Sequence, residues 1–296
     1  MRLVAPFAPG GTVDVVARLL APRLSERLGQ PVAVENRGGA GGSIGAAEVA
    51  RARPDGTTLM VGSNGPVVLN PLLQARLPYD PARNLQPTGL AIRVPVAVVA
   101  SAALPLRSLE DLLALARARP GQLGAASAGT GSSNHLAIEL VNAAAGVRLT
   151  HVPYRGSGAA VADLVSGTVA VIFDQLSTAL PLHAEGRARI LAVAAERRTP
   201  LLPEVPTLAE GGVRDAEATT FNGLFAPAGL PPEALAGLAL AFAAAMAEAP
   251  PRERLAALGA EVATVEEATP WGFAAVIRAE AGRARRAVAL AGLKPE

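Results

Sequence analysis

The stretch LVAPFAPGGTVD, residues 3–14, combines a short strand, a glycine turn and the start of a helix. The apolar run Leu3–Phe7 is typical of a buried strand, and the apolar positions of Val13–Leu28 recur at helical spacing. A glycine pair at such a turn brings the backbone close to a ligand, and the unpaired amide groups of the first helical turn attract an anion. An ordinary tight turn before a capped helix would leave the same pattern. The candidate ligand-binding residues here are Pro9, Gly10, Gly11, Thr12 and Asp14.

Two of these residues also have structural interpretations. The hydroxyl of Thr12 can cap the helix instead of donating to a ligand. The carboxylate of Asp14, in the first helical turn, is favoured by the helix dipole whether or not a ligand binds. The sequence leaves both interpretations open.

Strands and helices alternate along the rest of the chain. Strands are predicted at Pro31–Glu35, Thr57–Gly62 and Val94–Ala100, with a helix at Ser43–Arg53. A second series of the same alternation runs from residue 109 to residue 194. Such alternation favours an α/β fold of mostly parallel sheets flanked by helices.

A second loop rich in glycine and hydroxyl groups precedes a predicted helix that begins near Asn134. A capped turn would explain so many small hydroxyl residues, and His135 is typical of a structural histidine in a first helical turn. The loop also presents amide groups and hydroxyls at a helix start, as the first loop does. The candidate ligand-binding residues in this second loop are Ser127, Gly129, Thr130, Gly131, Ser132 and His135.

Two similar strand–loop–helix starts predict two lobes with a ligand cleft between them. Two helix N-termini that face one cleft can bind a carboxylate without any arginine. We predict that residues 1–97 and 226–296 form lobe I and that residues 98–225 form lobe II. The chain would then cross twice between the lobes.

Composition excludes several classes of function. The chain has 296 residues, half of them apolar, and contains no cysteine, so disulfides, thiolate zinc sites and cysteine nucleophiles are excluded. The three histidines, His135, His151 and His183, lack the spacing of a metal site. The basic residues form no extended patch, and no apolar run is long enough to span a membrane. We therefore predict no bound metal, no nucleic-acid partner and no membrane insertion.

Nucleotide cofactors and catalysis have little support. The glycines of Asn36–Gly45 do not fit the dinucleotide-binding spacing, and no phosphate-binding P-loop is present. Ser43 lies in a G-x-S-x-G string, but a long loop separates it from the preceding strand, so it is better explained as a helix cap than as a nucleophile. An enzyme acting on carboxylates would have to use His135 as its acid–base group. We predict no cofactor, no catalytic residue and no enzymatic activity.

Seven segments together resemble the Bug family, also called the TctC family, the extracytoplasmic solute receptors of tripartite tricarboxylate transporters. They follow one another in the order found in that family and extend over nearly the whole chain. The segments are PFAPGGTVD (6–14), GQPVAVENRGGAGGSIGAAEVARARPDGTTLMVGS (29–63), LPYDPARNL (77–85), ARPGQLGAASAGTGSSNHLA (118–137), HVPYRGSGAAVADLVSG (151–167), VPTLAEGG (205–212) and FAPAGLPPE (225–233).

The resemblance implies a two-lobed periplasmic-binding-protein fold of type II, whose lobes close over a small carboxylate. It implies that the first strand–helix loop of each lobe holds the carboxylate, and it adds Ser63, Asn64 and Asp174 to the candidate site. Asp174 would favour a ligand with an ammonium or amide group, or would repel a second carboxylate. Di- and tricarboxylates, aromatic acids and acidic amino acids or their amides remain candidate ligands.

The resemblance also implies a periplasmic, monomeric receptor that delivers its ligand to the membrane subunits of a transporter. A receptor of the same kind that reports to a sensor protein of a two-component system is the alternative. The first strand begins almost at Met1 and leaves no room for a signal peptide. We expect the leader to have been removed or to lie outside this chain.

Overall fold

The computed structural model describes residues 1–295, which form one continuous sheet system flanked by helices. The α/β class predicted from the sequence is confirmed. The strands are β1 Arg2–Ala5, β2 Ala33–Asn36, β3 Thr58–Ser63, β4 Leu85–Ser101, β5 Gly124–Ser127, β6 Thr150–Pro153, β7 Val171–Gln175, β8 Ala188–Val193, β9 Thr219–Pro227 and β10 Glu261–Val262. The helices are α1 Thr12–Leu28, α2 Ser43–Ala50, α3 Asn70–Leu73, α4 Pro81–Asn84, α5 Leu109–Ala118, α6 Ser133–Ala145, α7 Ser157–Ser166, α8 Leu176–Ala184, α9 Pro232–Ala247, α10 Ala249–Ala257 and α11 Pro270–Leu290.

The first half of the sheet, which we call lobe I, has three parallel strands in the order β2-β1-β3. Helix α1 covers one face of these strands because Val16, Leu20 and Leu24, spaced by four residues, are all buried. Gly29 adopts a left-handed conformation and ends the helix, as its position in the sequence predicts. The carboxyl ends of β1 and β3 therefore lie at one edge of lobe I.

The second half, lobe II, repeats this arrangement with the parallel strands β7-β5-β6. Helices α6, α7 and α8 follow β5, β6 and β7 respectively, so each begins at the carboxyl end of a strand. Parallel strands joined by helices must all start their helices at the same edge of the sheet. This edge of lobe II carries three helix N-termini.

Strands β4 and β9 connect the two halves. Along its length β4 pairs antiparallel with β9 in lobe I and with β7 and β8 in lobe II. The sequence predicts only Val94–Ala100 as a strand here, because the break at Gln86-Pro87 disfavours one before it. The real strand is longer, and two register shifts against β9 accommodate the irregular segment. The lobe boundaries proposed from the sequence fall within β4 and β9, and they stay a prediction.

The C-terminal helices pack on lobe I. Phe273 of α11 lies edge-on to Phe221 and 5.0 Å from the ring of Phe225, both on β9, and all three rings are buried. Thr269 caps α11 by accepting a hydrogen bond from Gly272, as the sequence predicts. Within residues 1–295 no individual helix has the length and apolar character to cross a membrane; only α9 and α10 taken together, with a 65° bend between them, do so by length and composition.

Candidate functional site

A small cavity of about 20 Å³ lies where the carboxyl edges of the two lobes face each other. Its size is enough for an ordered water molecule, so the lobes are nearly closed upon each other. Both lobes and the crossing strand β9 contribute to its wall. The lining residues are Phe7, Gly11, Thr12, Val13, Ser63, Gly65, Ala128, Ser132, Ser133, Asn134, Ser157, Gln175 and Thr220.

On the lobe I side, the glycine turn places the start of α1 against the cavity. Gly11 is the N-cap residue and has extended backbone angles, and no side chain caps the helix. The Thr12 hydroxyl does not cap α1, so that interpretation was wrong. It lies 2.6 Å from the hydroxyl of Ser177, on α8 of lobe II. Thr12 therefore joins the two lobes at the wall of the cavity.

Asp14 lies behind this turn and orders it. Its carboxylate accepts hydrogen bonds from the Gly10 amide (3.0 Å), from Asn36 (2.9 Å) and from Arg18 (3.0 Å). Burial alone would raise the pKa of Asp14, but these hydrogen bonds outweigh it and keep that pKa below its ordinary value. The structural interpretation of Asp14 accounts for all these contacts.

Ser63 and Asn64 follow β3 and have different positions. Ser63 lines the cavity. Asn64 is turned away from it: its side-chain oxygen accepts from the Phe221 amide (2.8 Å), and its side-chain nitrogen donates to Glu280 of α11 (3.3 Å). Asn64 thus fixes the loop to β9 and to the C-terminal helix.

In lobe II the residues at the helix start line the cavity. Ser132 caps α6 by accepting a hydrogen bond from the His135 amide (3.2 Å). The amides of Ser133 and Asn134 belong to the first turn and have no acceptor within the helix. Thr130 is exposed, and its carbonyl lies against Gly41 of lobe I. These contacts place the loop before α6 against the glycine loop that precedes α2 in lobe I.

Asp174 is almost completely buried at the end of β7, behind the wall of the cavity. Its carboxylate accepts from the Gln175 amide (2.7 Å), Thr178 (2.6 Å) and Asn134 (3.4 Å). Burial raises the pKa of Asp174, although the hydrogen bonds oppose this change. Asp174 orients Asn134 and Gln175, and both of these residues face the cavity.

The predicted site residues therefore fall into two groups. Gly11, Thr12, Ser63 and Ser132 line the cavity. The others lie beside or behind it in the adjoining loops, and their direct contact with a ligand stays a prediction. This second group is Pro9, Gly10, Asp14, Asn64, Ser127, Gly129, Thr130, Gly131, His135 and Asp174.

Sequence reasoning did not include several residues of the wall. Ser157 follows Gly156, whose φ of 136° needs a glycine, and it opens α7 just after β6. This is a third strand–glycine–helix start, and the same signal that selected the first two could have found it. Gln175 is the N-cap residue of α8, and Thr220 lies on the crossing strand β9, where no local pattern marks it.

Backbone groups determine the electrostatic potential in the cavity. The starts of four helices, α1, α6, α7 and α8, contribute Gly11, Ser132, Ser157 and Gln175 to its wall. Each N-terminus carries unpaired amide groups and partial positive charge. None of the lining side chains in residues 1–295 carries a charge. The cavity therefore favours a small anion held by neutral donors.

A larger, open hollow of about 1200 Å³ lies beside the crossing strands and α11. Acidic and basic side chains both line it, including the ion pair of Arg93 with Glu267. No excess of one charge selects a ligand there. In the described part of the chain, no cluster of three His, Asp or Glu side chains could hold a metal ion. The smaller cavity, with its convergent helix starts, is the candidate binding site.

The fold and this cavity define a two-lobed solute-binding receptor. The model of the tripartite tricarboxylate transporter receptor family, TctC, matches residues 16–288, and the chain belongs to that family. Its members are solute-binding receptors, and the protein is a receptor of this kind and not an enzyme.

Solved structures agree over nearly the full length. The periplasmic binding protein BugD superposes with a TM-score of 0.95 at 33% identity, covering 100% of this chain and 98% of that one. An R. palustris protein solved with adipate gives 0.94 at 36% identity, covering 100% and 98%. MatC from Rhodopseudomonas palustris with bound malate gives 0.93 at 36% identity, covering 97% and 98%. The predicted family and fold are confirmed.

Proposed function

We propose that this protein is the periplasmic receptor of a tripartite tricarboxylate-type transporter and that its ligand is a small dicarboxylate. The observation that carries the proposal is the convergence of four helix N-termini on a cavity without charged side chains. Bare amide groups and small hydroxyls bind carboxylate oxygens well. Two similar proteins, solved with adipate and with malate, support the same chemistry.

Among the acids that the sequence leaves open, the lining favours dicarboxylates over amino acids. An ammonium group would face the positive ends of helices, and Asp174, the candidate counter-ion, is buried behind the wall with its oxygens already bonded. A second carboxylate instead meets another helix start. The ligand therefore binds as a dianion.

Closure of the lobes is the mechanism of capture. The Ala8 amide of lobe I donates to the carbonyl of Arg155 in lobe II (2.9 Å), and Thr12 reaches Ser177, so the cavity is complete only when the lobes meet. A dicarboxylate is larger than the cavity of about 20 Å³, so the lobes part slightly to admit it, and a ligand that then contacts both lobes stabilises this nearly closed state relative to the open one. The closed receptor, which we expect to be a monomer, then delivers its ligand to the membrane subunits of the transporter.

The binding site is tested by the substitution Gly11→Val. The backbone of Gly11 suits any residue, and an added side chain would project next to Ser157 in the wall. We expect the affinity for malate, adipate or succinate, measured by calorimetry, to fall at least about a hundredfold, since the branched side chain fills the small cavity and blocks the amide groups.

The matched control is Gly237→Val, on the exposed face of α9 with open space around it. This variant should bind like the wild type. Aspartate and benzoate complete the panel and test the preference for dianions. A Gly11→Val protein with wild-type affinity would refute the proposed site, and a wild type that prefers aspartate would refute the proposed ligand class.

The transport role is tested in a cell that takes up the identified dicarboxylate. Deleting the receptor gene should abolish uptake, and a plasmid copy should restore it, whereas the Gly11→Val copy should not. Uptake that persists without the receptor would contradict the role in transport while leaving the binding result intact.

A further inference from the structure

Two histidine rings stack directly behind the lobe II loop that faces the cavity. His135 lies on the first turn of α6 and His151 on β6, with ring centroids 4.0 Å apart and an angle of 23° between the planes. His135 is buried and His151 is partly buried. Neither ring lines the cavity. Their hydrogen bonds run to the loop residues Ser127 and Gly131.

The first bond series passes through Ser127. The Gly129 amide donates to the Ser127 hydroxyl oxygen (3.0 Å), and that hydroxyl lies 2.6 Å from Nε2 of His151. The Ser127 hydroxyl is fully buried, and among the described residues its proton has no acceptor other than Nε2 of His151, so the hydroxyl donates and Nε2 accepts. His151 is then neutral, with its proton on Nδ1. Burial and the neighbouring His135 lower the pKa of His151 to about 3, in agreement with a neutral ring.

The second bond comes from the other end of the loop. The Gly131 amide donates to Nδ1 of His135 (3.3 Å). An acceptor at Nδ1 requires the proton of the neutral ring to sit on Nε2, which lies 3.9 Å from a carboxylate oxygen of Glu139. Each ring is thus an acceptor for one end of the loop, in opposite tautomers.

These hydrogen bonds determine which amide groups of the loop remain available to a ligand. The amides of Gly129 and Gly131 are used inside lobe II and are unavailable to a ligand. Their orientation turns the loop so that Ala128 and Ser132 to Asn134 face the cavity. Only an acceptor at each ring position preserves this arrangement, since an apolar group of the same size would leave a buried donor unpaired.

We propose that His135 and His151 are positioning residues that hold the lobe II binding loop through their neutral, unprotonated nitrogens. The proposal rests on the dicarboxylate-binding function proposed above. It assigns no contact between either ring and the ligand.

The test compares substitutions that keep or remove the acceptor. His135→Asn places an amide oxygen near the position of Nδ1, and His151→Gln places one near Nε2. His135→Leu and His151→Leu keep bulk and remove the acceptor. We expect each leucine variant to lose at least about tenfold in affinity for the bound dicarboxylate, the equivalent of one unpaired buried donor, and each amide variant to stay within about threefold of wild type.

Nuclear magnetic resonance supplies a readout that does not depend on the ligand. The wild-type spectrum should show the Nδ1-protonated tautomer for His151 and the Nε2-protonated tautomer for His135. The Gly131 amide should exchange with solvent faster in His135→Leu, and the Gly129 amide faster in His151→Leu.

The outcomes separate the two proposals. If the wild type binds no carboxylate, the proposed function fails, and the tautomers and amide exchange still decide whether the rings hold the loop. If the wild type binds but the leucine and amide variants have equal affinities, the positioning role is refuted. If a leucine variant does not fold, the wild-type tautomers and the amide variants decide. The positioning role is refuted if each histidine has the tautomer other than the one predicted above, or if both amide variants lose binding.

Discussion

Gly158, on the first turn of α7, lies against the backbone of Pro9 in the opposite lobe. A β-carbon at this position would be 1.9 Å from the Pro9 carbonyl oxygen, so the lobes could not meet as they do here. Gly41 has a similar relation to Thr130, since its β-carbon would lie 2.2 Å from the Thr130 carbonyl oxygen. Glycines at the mouth of the cavity therefore permit closure, in addition to shaping their own turns.

The substitution Gly158→Ala separates closure from folding. Alanine is a better helix former than glycine by about 1 kcal/mol, which offsets the loss of inter-lobe hydrogen bonds of about 0.5–1.5 kcal/mol each, so the free energy of unfolding should stay close to that of the wild type. Ligand affinity should fall at least about tenfold, because the methyl group blocks the contact between lobes. Calorimetry and chemical denaturation measure the two effects. Gly237→Ala, on α9 in open space, should raise stability without changing affinity; equal affinities in both variants would contradict this role.

His151 predicts a loss of stability in acid. Its pKa is about 3 in the folded protein against 6.5 for the unperturbed group. The unfolded chain therefore takes up a proton first as the pH falls, and the stabilisation, complete above pH 6.5, is lost progressively towards pH 3. The melting temperature should fall more steeply over this interval in the wild type than in His151→Gln. Identical slopes of melting temperature against pH in the two proteins would show that the pKa of His151 in the folded protein equals its ordinary value.

At the scale of elements, the packing of α11 on β9 depends on a glycine that leaves room for an aromatic ring. Gly223 faces the ring of Phe273, and an added β-carbon would lie 2.4 Å from it. Gly223 lies on β9, which with β4 forms the pair of long strands that join the lobes, so this contact fixes α11 to the region between them. Thr220, on β9, lines the cavity, and the amide of Phe221 on the same strand donates a hydrogen bond to Asn64.

The substitution Gly223→Ala should lower the free energy of unfolding by about 1–3 kcal/mol, the usual cost of overpacking a core. Phe273 cannot move far, because it also packs against Phe221 and Phe225. Urea denaturation measures the change, with Gly237→Ala again as the reference. A variant as stable as the wild type would mean that α11 shifts freely on the sheet.

At the scale of the whole molecule, the lobes make polar contacts with each other without any help from a ligand. The hydrogen bond between Thr12 and Ser177 is buried and joins the starts of α1 and α8. Together with the bond from Ala8 to Arg155, it favours the closed state. The affinity for a ligand then includes the free energy of these contacts, since they form in the same step.

The substitution Ser177→Ala removes one of these contacts without altering the cavity wall. The lost hydrogen bond should cost about 0.5–1.5 kcal/mol of closure, or up to about tenfold in affinity. Small-angle X-ray scattering should show a larger radius of gyration in the absence of ligand. Ser166→Ala, at the exposed end of α7, is the control. A scattering profile unchanged from wild type would exclude a closing role for Ser177.

Local patterns predicted most of the helices and strands and suggested the chemical character of the candidate site. The strand, glycine turn and helix of residues 3–28 depend on neighbours in the chain, as do the N-cap at Thr269 and the helix end at Gly29. The amide groups of a helix start are positive in any fold, so the preference for an anion was also predictable. Gly11, Thr12 and Ser132, which line the cavity, were found this way, whereas Ser63 was added by the family resemblance.

Only the tertiary structure decided which groups face the ligand cavity and which support it. Thr12 forms a hydrogen bond with Ser177, 165 residues away. The Gly131 amide donates to His135 and is not available to a ligand in the cavity. Gln175 and Thr220 reach the wall because β7 and β9 lie beside β4, a pairing between distant segments that no local periodicity encodes. The chain thus encodes each helix start locally, while the crossing strands determine that four of them converge on one cavity.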